Sequence, residues 1–401
     1  MPHISRYIWS FFALSASSLA SAQSSVTLFG VMDAGVSRYM VRSNSWDGSG
    51  RTASQGLWAL SPSGNLASRL GVRAVEDLGA GMSASMWLEA PVTNDTGGGA
   101  LNFGRRSTVS LAGNWGELRL GRDHTPSFLN DWAFDPYSVN GVGVNLLAVV
   151  SSNLAINRAL STQSSGTLPE RLLGNGLSAG TDNYLRANNA IGYHLPTGLG
   201  GLYGQLMYAF PENDARRGRY AGGRIGWANG PTDIALGYGE SMLGTFNGRK
   251  ETIKSLNLGG SYNFGPVRVL GEWSQVRNAR SDVRATDRYD GLLAGVQIPV
   301  GLHQFRASVA RVQFKNGQGT GDASVNKLAL GYVHNLSKRT ALYTTVSRIS
   351  VSNGHNNPAV MGVTPLAVSS PVIMPQPAYS SSPGMQPRSA LGFDLGLRMM
   401  F

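Results

Sequence analysis

Residues 389–401 read SALGFDLGLRMMF, and alternate positions from Phe393 to Met399 are apolar, while Gly, Asp or Arg stand between them. Successive side chains of a β-strand point to opposite faces of the sheet. The stretch therefore predicts a strand with one apolar and one polar face. The same period of two runs through 66–77, 116–124 and 231–242, so the fold is predicted to be all-β.

Sixteen segments carry this alternation or the turn residues that bound a strand. They are 24–41, 66–77, 80–91, 102–113, 116–124, 187–196, 201–211, 218–228, 231–242, 253–264, 266–277, 288–299, 302–315, 324–336, 339–352 and 389–401.

The connections between these segments alternate between seven short turns and eight longer loops. The short turns are rich in Gly, Pro, Asn and Asp, which are the residues that tight turns select. This division is expected of a barrel with an even number of strands and with both chain ends on the turn side. The sequence predicts a sixteen-stranded antiparallel transmembrane β-barrel, with short periplasmic turns and long extracellular loops.

Composition agrees with this prediction. The chain of 401 residues is 42% hydrophobic and 14% charged, and it has no Cys. Residues 1–22 combine a short basic start, a short apolar core and the Ala20-Ser21-Ala22 cleavage pattern, which predicts a secretory signal peptide. The barrel domain is then 23–401, and we expect it in the outer membrane. No later run of about eighteen apolar residues predicts a membrane-spanning helix.

The formal net charge of +11 is compatible with nucleic acid, acidic lipid or anionic solutes as partners. Because the sequence has no basic run typical of a nucleic-acid-binding arm, we do not expect nucleic acid. The six His lack metal-ligand spacing, and no Ser–His motif indicates a hydrolase. Residues 79–84 fit G-x-G-x-x-A but precede a strand, so we interpret them as a hairpin turn. We expect no enzyme activity, cofactor or metal.

Two loops are unusual. The third long loop, 125–186, far exceeds ordinary loop length, and we predict that it folds into the lumen, with an external excursion as the alternative. The last loop, 353–388, contains seven prolines and many serines, so it cannot pair as a strand. We interpret it as an irregular extracellular loop.

Several motifs, in order along the chain, resemble the general porins of beta-proteobacteria. They are Ser25-Val26-Thr27-Leu28-Phe29-Gly30, Ser68-Arg69-Leu70-Gly71, Leu120-Gly121-Arg122, Asp135-Pro136, Arg186-Ala187-Asn188-Asn189 and the closing Gly396-Leu397-Arg398-Met399-Met400-Phe401. The resemblance extends over the chain from residue 25 to residue 401, and it implies a homotrimer of barrels for passive diffusion of small hydrophilic solutes and ions. The terminal Phe401 resembles the signal recognised by barrel-assembly machinery, and outer-membrane lipid and lipopolysaccharide would surround the barrel.

The resemblance also implies a pore constriction, in which arginines of the barrel wall face carboxylates of the third loop. The matching arginines are Arg69, Arg105 and Arg186, with Arg38 as a further candidate. The matching carboxylates are Asp131 and Asp135, with Asp123 at the root of the loop. The adjacent pair Arg105-Arg106 leaves open which of the two faces the lumen, since a shift of one residue exchanges the faces of a strand.

Such a constriction would filter solutes electrostatically, because charge on a pore wall selects among ions. Arg is suited to it, since its guanidinium stays ionised and pairs with carboxylate or phosphate. We therefore predict anion preference. For Arg73 and Arg119, a pore role and a salt-bridge role that only stiffens the wall are equally open.

Three alternatives remain at this point. A substrate-specific porin would need an ordered series of aromatic residues, a secreted soluble adhesin or lectin would be released without detergent, and a barrel hydrolase would need a reactive Ser–His pair.

Overall fold

A computed structural model describes residues 24–45, 47–95, 97, 101–151, 184–211, 218–246, 248–280, 284–319, 321–354 and 385–401. The predicted signal peptide therefore lies outside the described residues, as do most of 353–388 and the part of the third loop from 152 to 183.

These residues form seventeen strands and one helix that lies wholly among them, which we number along the chain, and residues 146–151 are also helical. The strands are β1 Ser25–Asn44, β2 Thr52–Ser61, β3 Arg69–Gly79, β4 Met82–Pro91, β5 Arg106–Gly113, β6 Gly116–His124, β7 Arg186–His194, β8 Leu202–Ala209, β9 Tyr220–Asn229, β10 Thr232–Phe246, β11 Arg249–Asn263, β12 Arg268–Arg280, β13 Ala285–Val300, β14 His303–Lys315, β15 Ala323–Asn335, β16 Thr340–Ser352 and β17 Gln386–Met400. The helix is α1, Pro126–Ala133.

The sheet is closed. From β3 onward each strand pairs antiparallel with the next strand along the chain, and β17 returns to pair with β1, with Gly35 opposite Gly396. Both β2 and β3 lie on the other edge of β1, with β2 along 35–44 and β3 along 25–31. Seventeen strands thus occupy sixteen positions, which confirms the predicted sixteen-stranded antiparallel barrel. Closure pairs the strand edges, as a membrane environment requires.

The connections differ from the prediction in three places. The predicted open loop 42–65 contains β2, which continues the pairing of β1. The predicted loops 243–252 and 278–287 are narrower, because β10 extends to Phe246, β11 begins at Arg249, and β12 and β13 extend similarly. Polar hairpins that project beyond the membrane can continue a ladder without an apolar face, so their alternation of hydrophobicity is weak. The predicted hairpin at 79–84 is present as the turn between β3 and β4.

The outer face of the barrel is apolar. On β17, Phe393, Leu395, Leu397 and Met399 are exposed, whereas Asp394 between them is fully buried from solvent. Exposed apolar side chains recur on the outward positions of strands around the barrel, as expected of a surface that contacts lipid. Among the described residues, no helix has both the length and the apolar character needed to cross a membrane.

The first part of the third loop lies inside the barrel. Thr125 caps α1 by accepting a hydrogen bond from the Phe128 amide, and Pro126 occupies the first turn, where its missing N–H is not needed. On the barrel wall that faces this loop, inward-facing glycines make room for the loop residues that follow α1. A Cβ at Gly259 would lie 2.0 Å from the Phe134 ring, and one at Gly295 would lie 2.3 Å from Pro136. The prediction that the third loop folds into the lumen is confirmed for 125–151.

Candidate functional site at the pore constriction

Five arginines meet on one side of the lumen; four belong to β3, β5, β6 and β7, and the fifth directly precedes β5. We call this group the arginine wall; it consists of Arg69, Arg105, Arg106, Arg119 and Arg186. Register explains the grouping, because Arg69 pairs opposite Pro91 of β4, and Glu89 of the same strand pairs opposite Arg106 of β5. Alternate positions on these strands point into the lumen, so their charged residues form one surface.

Glu89 connects two of these arginines. Its Oε2 lies 3.7 Å from Arg69 Nε and 3.5 Å from Arg105 Nε, and its Oε1 accepts a hydrogen bond from Trp87 Nε1 at 2.8 Å. The carboxylate is almost fully shielded from solvent, with a side-chain exposure of 10%. One carboxylate thus holds two guanidiniums and leaves the pair with a net positive charge.

Asp123 likewise connects two arginines of the wall, Arg106 and Arg119. Arg119 Nη1 donates to Asp123 Oδ2 at 2.6 Å, and Arg106 Nε lies 3.6 Å from Asp123 Oδ1. Arg119 also pairs with Glu117 at 2.9 Å, and Arg106 lies over the Trp87 ring at 4.2 Å. Arg119 is therefore part of a salt-bridge ladder, whereas the neighbouring Arg73 contacts the Trp87 ring at 5.0 Å.

Arg105 and Arg106 both reach lumen carboxylates. Arg105 precedes β5, which begins at Arg106, so the alternation of a regular strand does not apply to it. Its amide donates to the Glu89 carbonyl at 3.1 Å, and its guanidinium turns back toward the Glu89 carboxylate. The sequence left open whether Arg105 or Arg106 faces the lumen. In the structure both side chains do, since Arg106 lies within the regular strand and Arg105 lies just before it.

Arg186 completes the arginine wall at the start of β7. It is buried, and its Nε donates to the Arg105 carbonyl at 2.7 Å. Among the residues that the structure describes, no carboxylate lies within ion-pair distance of Arg186. Four of the five guanidiniums pair with three carboxylates, those of Glu89, Glu117 and Asp123, and Arg186 adds a fifth positive charge, so the wall carries an excess of positive charge.

Arg38 lies elsewhere. It lies on the outward face of β1, the same face as the exposed residues Val36 and Met40. Its guanidinium packs over the Trp58 ring of β2 at 5.0 Å. The structure therefore does not bring Arg38 together with the arginine wall.

Asp131, a residue of α1, is buried between this helix and the barrel wall across the lumen from the arginine wall. It accepts hydrogen bonds from the Tyr184 hydroxyl and from Asn257 Nδ2, the latter at 2.5 Å. Burial raises the pKa of the Asp131 carboxyl, and the same burial together with the Asp131 charge raises the pKa of Tyr184. The Asp131 side chain anchors the loop and is not presented to the arginine wall.

Asp135 is also buried, and its oxygens accept three backbone N–H groups of the same loop. The donors are Tyr137 at 3.1 Å, Val139 at 2.7 Å and Asn145 at 3.0 Å. Burial raises the pKa of the Asp135 carboxyl to about 6, although these three hydrogen bonds favour its charged form. Asp135 thus organises the loop backbone, and like Asp131 it does not contact the arginine wall.

The loop surface near the arginine wall is aromatic. His124, Phe128 and Trp132 recur at every fourth position, and the His124 ring stacks on the rings of Phe128 and Trp132, with centroids 5.6 and 5.9 Å apart. Trp132 is 38% exposed. Sequence reasoning missed Trp132 as well as Glu89. Glu89 could have been found because it lies two positions after Trp87 and therefore shares the same inward face of the strand. Trp132 could have been found because it lies eight positions after His124, a spacing that places both on one side of a helix.

Phe401 closes the barrel. Its amide donates to the Gly30 carbonyl at 3.2 Å, and the Gly30 amide donates back to the Phe401 carbonyl at 3.1 Å. A Cβ at Gly30 would lie 2.3 Å from the Phe401 ring, so the missing side chain makes room for the ring. The role of Phe401 as an assembly signal stays a prediction.

Comparison with known proteins places this geometry in a family. Residues 10–354 match the family described as Gram-negative porin. The chain is 35% identical over 339 residues to outer membrane porin protein 32 of Delftia acidovorans, an alignment that covers 82% of this chain and 85% of that protein. It is 25% identical over 374 residues to an outer membrane porin protein of Bordetella pertussis, covering 81% and 88%.

Solved structures agree. An anion-selective porin from Comamonas acidovorans has a TM-score of 0.72 at 32% identity, covering 94% of this chain and all of that one. OmpT of Vibrio cholerae shares the fold, with a TM-score of 0.61 at 14% identity over 96% of this chain and all of that one. With its closed sixteen-stranded barrel, inserted third loop and charged lumen, the chain belongs to the Gram-negative porin family of outer-membrane channels.

Proposed function

We propose that this porin passes small hydrophilic solutes by diffusion, that it prefers anions, and that the arginine wall is the main source of the preference. The supporting observation is the imbalance of charge at the wall, where five guanidiniums stand against three carboxylates and only four of the five form ion pairs with them. Charge lining a narrow aqueous pore selects ions of opposite sign. The relative from Comamonas acidovorans is named as an anion-selective porin, which supports the same sign.

The inserted loop strengthens the imbalance. The predicted constriction has Asp131 and Asp135 facing the arginines, but both carboxylates are buried and bonded to the loop or to the opposite wall. In our proposal, an anion passing the arginine wall is attracted by guanidiniums that are only partly neutralised by their own neighbours. Trp132 contributes an apolar surface beside the wall and no competing charge.

The test is the reversal potential of the protein in a planar bilayer under a salt gradient, compared between Arg105→Gln and Arg38→Gln. Both variants remove one positive charge, but Arg105 belongs to the wall and Arg38 faces outward. A unit charge about 4 Å from an ion in water is worth about 1 kcal/mol, or about fivefold in relative permeability. We expect Arg105→Gln to lower the anion-to-cation permeability ratio by up to this factor and Arg38→Gln to leave it unchanged. Equal effects of the two variants would show that overall charge, and not the wall, sets selectivity.

Further parts of the proposal concern biogenesis and assembly. We propose export through a signal peptide at residues 1–22, insertion by barrel-assembly machinery that recognises the strand ending in Phe401, and assembly as a homotrimer in a membrane containing lipopolysaccharide. Deletion of Phe401 should reduce the amount of folded barrel in the outer membrane. Migration of unheated protein on a gel should reveal the trimer, and a monomer band under every mild condition would contradict it.

A further inference from the structure

Two histidines and a tyrosine meet on the outer face of the barrel, at the end where the short turns lie. His303 begins β14, and the strand register places it directly opposite His334 of β15. Tyr332 lies two positions before His334 and therefore on the same face of the sheet. The exposed residues Phe305 and Leu342 lie opposite Tyr332 and His334, respectively, so this face is the outward one.

Three polar atoms converge at this point, and we call His303, Tyr332 and His334 the histidine cluster. His303 Nδ1 lies 2.7 Å from Tyr332 Oη and 3.1 Å from His334 Nδ1. Both contacts have hydrogen-bond geometry, so both partners lie in front of His303 Nδ1 and close to the plane of its ring. The two imidazole planes are 24° apart, with centroids separated by 4.8 Å. The cluster therefore directs three donor atoms toward one small volume.

Hydrogen bonding alone suits this arrangement poorly. The Nδ1 of a neutral imidazole either donates a hydrogen bond or accepts one, whereas His303 Nδ1 faces two partners. With both imidazoles protonated, two cationic rings would face each other across 3.1 Å, which the repulsion of like charges opposes. A single cation bound by the three lone pairs would satisfy all three atoms at once.

The spacing of the two nitrogens fits a shared metal ion. Imidazole nitrogens bind zinc at about 2.0–2.1 Å, so two of them in a tetrahedral site lie about 3.3 Å apart. In a square-planar site, as preferred by Cu²⁺, two adjacent nitrogens at the same bond length lie about 2.9 Å apart. The observed 3.1 Å falls between these two values. Both histidines can therefore bind one ion with only small side-chain movements.

The site is accessible, and its third protein donor is the tyrosine. His303 and His334 are both half-buried, so solvent reaches them from the turn end of the barrel. Among the residues that the structure describes, no group of three or more His, Cys, Asp or Glu could hold a metal ion. Tyr332 is not one of these residue types, and water would complete the coordination. The pair was not visible in the sequence, because 31 residues separate its members.

We propose that the histidine cluster binds one divalent late-transition-metal ion, Cu²⁺ more tightly than Zn²⁺. The ligands are Nδ1 of His303, Nδ1 of His334 and the hydroxyl oxygen of Tyr332. This order of affinity follows from the general preference of nitrogen and oxygen sites for Cu²⁺. Mg²⁺ and Ca²⁺ are disfavoured, since these ions select oxygen ligands. The bound ion joins β14 to β15 outside the lumen, so the site is independent of the anion preference proposed above.

The experiment titrates Cu²⁺ into the untagged full-length barrel in detergent, after removal of metal with a chelator. Calorimetry measures the affinity, and electron paramagnetic resonance counts the nitrogens bound to copper. The test variants are His303→Gln and His334→Gln. The matched control is His194→Gln, which removes another histidine at the turn end of a strand, where the residue opposite is Glu117 and not a second histidine.

We expect the wild type and the control to bind one Cu²⁺ per chain at the cluster, with the signal of two imidazole nitrogens. Each test variant should bind at least about tenfold more weakly, because loss of even a residue that only supports a metal ligand costs about 10–100-fold. Its signal should show one nitrogen at most. Affinity and nitrogen count equal to the wild type in either test variant, or an equal loss in the control, would overturn the site.

Further arms test the tyrosine and the choice of metal. Tyr332→Phe should keep the signal of two nitrogens and bind Cu²⁺ more weakly; an unchanged affinity would overturn the assignment of Tyr332 as a ligand. Cu²⁺ and Zn²⁺ should raise the unfolding temperature of the wild type, since an ion that binds only the folded barrel stabilises it, and should not do so in His334→Gln. Displacement of Cu²⁺ by an equal concentration of Mg²⁺ would contradict a nitrogen site. Single-channel conductance checks folding and should be the same in all variants.

Discussion

The lumen has two contrasting walls. On the wall made by β3 to β7, charged side chains pair with one another, and Arg69, Arg105, Arg106 and Arg119 keep side-chain exposures of 11–20%. On the wall made by β10 to β17, charged side chains lie beneath the third loop and bind it. There, Glu272 accepts from Asn145 Nδ2 at 2.7 Å, Lys327 donates to the Val144 carbonyl at 2.5 Å, and Asp394 accepts from the Val142 amide at 2.7 Å.

The same strand alternation supplies both sets of residues, so the difference comes from what covers them. Inward glycines on the second wall allow the loop backbone to approach closely, and the loop excludes water from the charges beneath it. A buried charge needs hydrogen-bonding partners, and here the loop provides them. Charge on the first wall can act on passing ions, whereas charge on the second wall holds the loop that shapes the gap.

The largest expected effect comes from filling the space between the second wall and the loop. In Gly259→Val, the new Cβ would lie 2.0 Å from the Phe134 ring, which is fully buried. Overpacking of this kind typically costs about 1–3 kcal/mol. We expect the loop to move toward the arginine wall and the single-channel conductance to fall.

The neighbouring Gly260→Val is the matched control, because its Cβ faces outward and would meet only ordinary contacts at 3.5 Å or more. Conductance should then equal that of the wild type. An equal fall in both variants would mean that valine disturbs the strand and not the seat of the loop.

A smaller effect is expected from removing one carboxylate of the first wall. Asp123→Asn leaves Arg106 and Arg119 with one negative charge fewer, so the arginine wall gains a net positive charge. By the same estimate for a unit charge in water, the anion-to-cation permeability ratio should rise by up to about fivefold. The reversal potential under a salt gradient measures this, and a shift toward cations would contradict the assignment of charge to this wall.

The opposite wall should respond differently to the same chemical change. Asp131→Asn removes the carboxylate that accepts from Tyr184 and Asn257. Weakening these buried hydrogen bonds should destabilise the inserted conformation of the third loop by about 1–3 kcal/mol. Fluctuations of the open-channel current should therefore increase. Selectivity should stay unchanged. A change of reversal potential as large as that of Asp123→Asn would remove the distinction between the two walls.

The sequence predicted this comparison only in part, for physical reasons that differ between residues. Alternation is local, so it predicted the strands, whereas the pore position of Arg69 came from the family resemblance and the role of Arg73 stayed open. Alternation could also have placed Arg38 outward, since Val36 and Met40 share its face. Arg105 lies just outside a regular strand, where alternation does not apply.

The loop residues depend on contacts that are distant in sequence. Asp135 is turned toward its own loop amides, and Asp131 meets Asn257, 126 residues away. No period in the sequence reveals such partners. The inward glycines of the second wall were the available signal, because glycine inside a strand often marks the close approach of another backbone.

The smallest effect concerns pH and the seat of the loop. Burial raises the pKa of Asp135 to about 6, whereas an exposed Asp has a pKa of about 3.9. A raised pKa means that the seated loop binds the proton more tightly than a free loop does. The stabilisation is therefore complete below about pH 4 and is lost as pH rises through about 6.

Open-channel current fluctuations should be larger at pH 7.5 than at pH 5. In Asp135→Asn, which stays neutral, this dependence should be weaker whatever the overall level of fluctuation, because only the remaining buried carboxyls, Asp131 among them, can still respond. An unchanged slope in the variant would show that Asp135 does not couple the loop to pH, and the second wall would then hold the loop through its other charged residues.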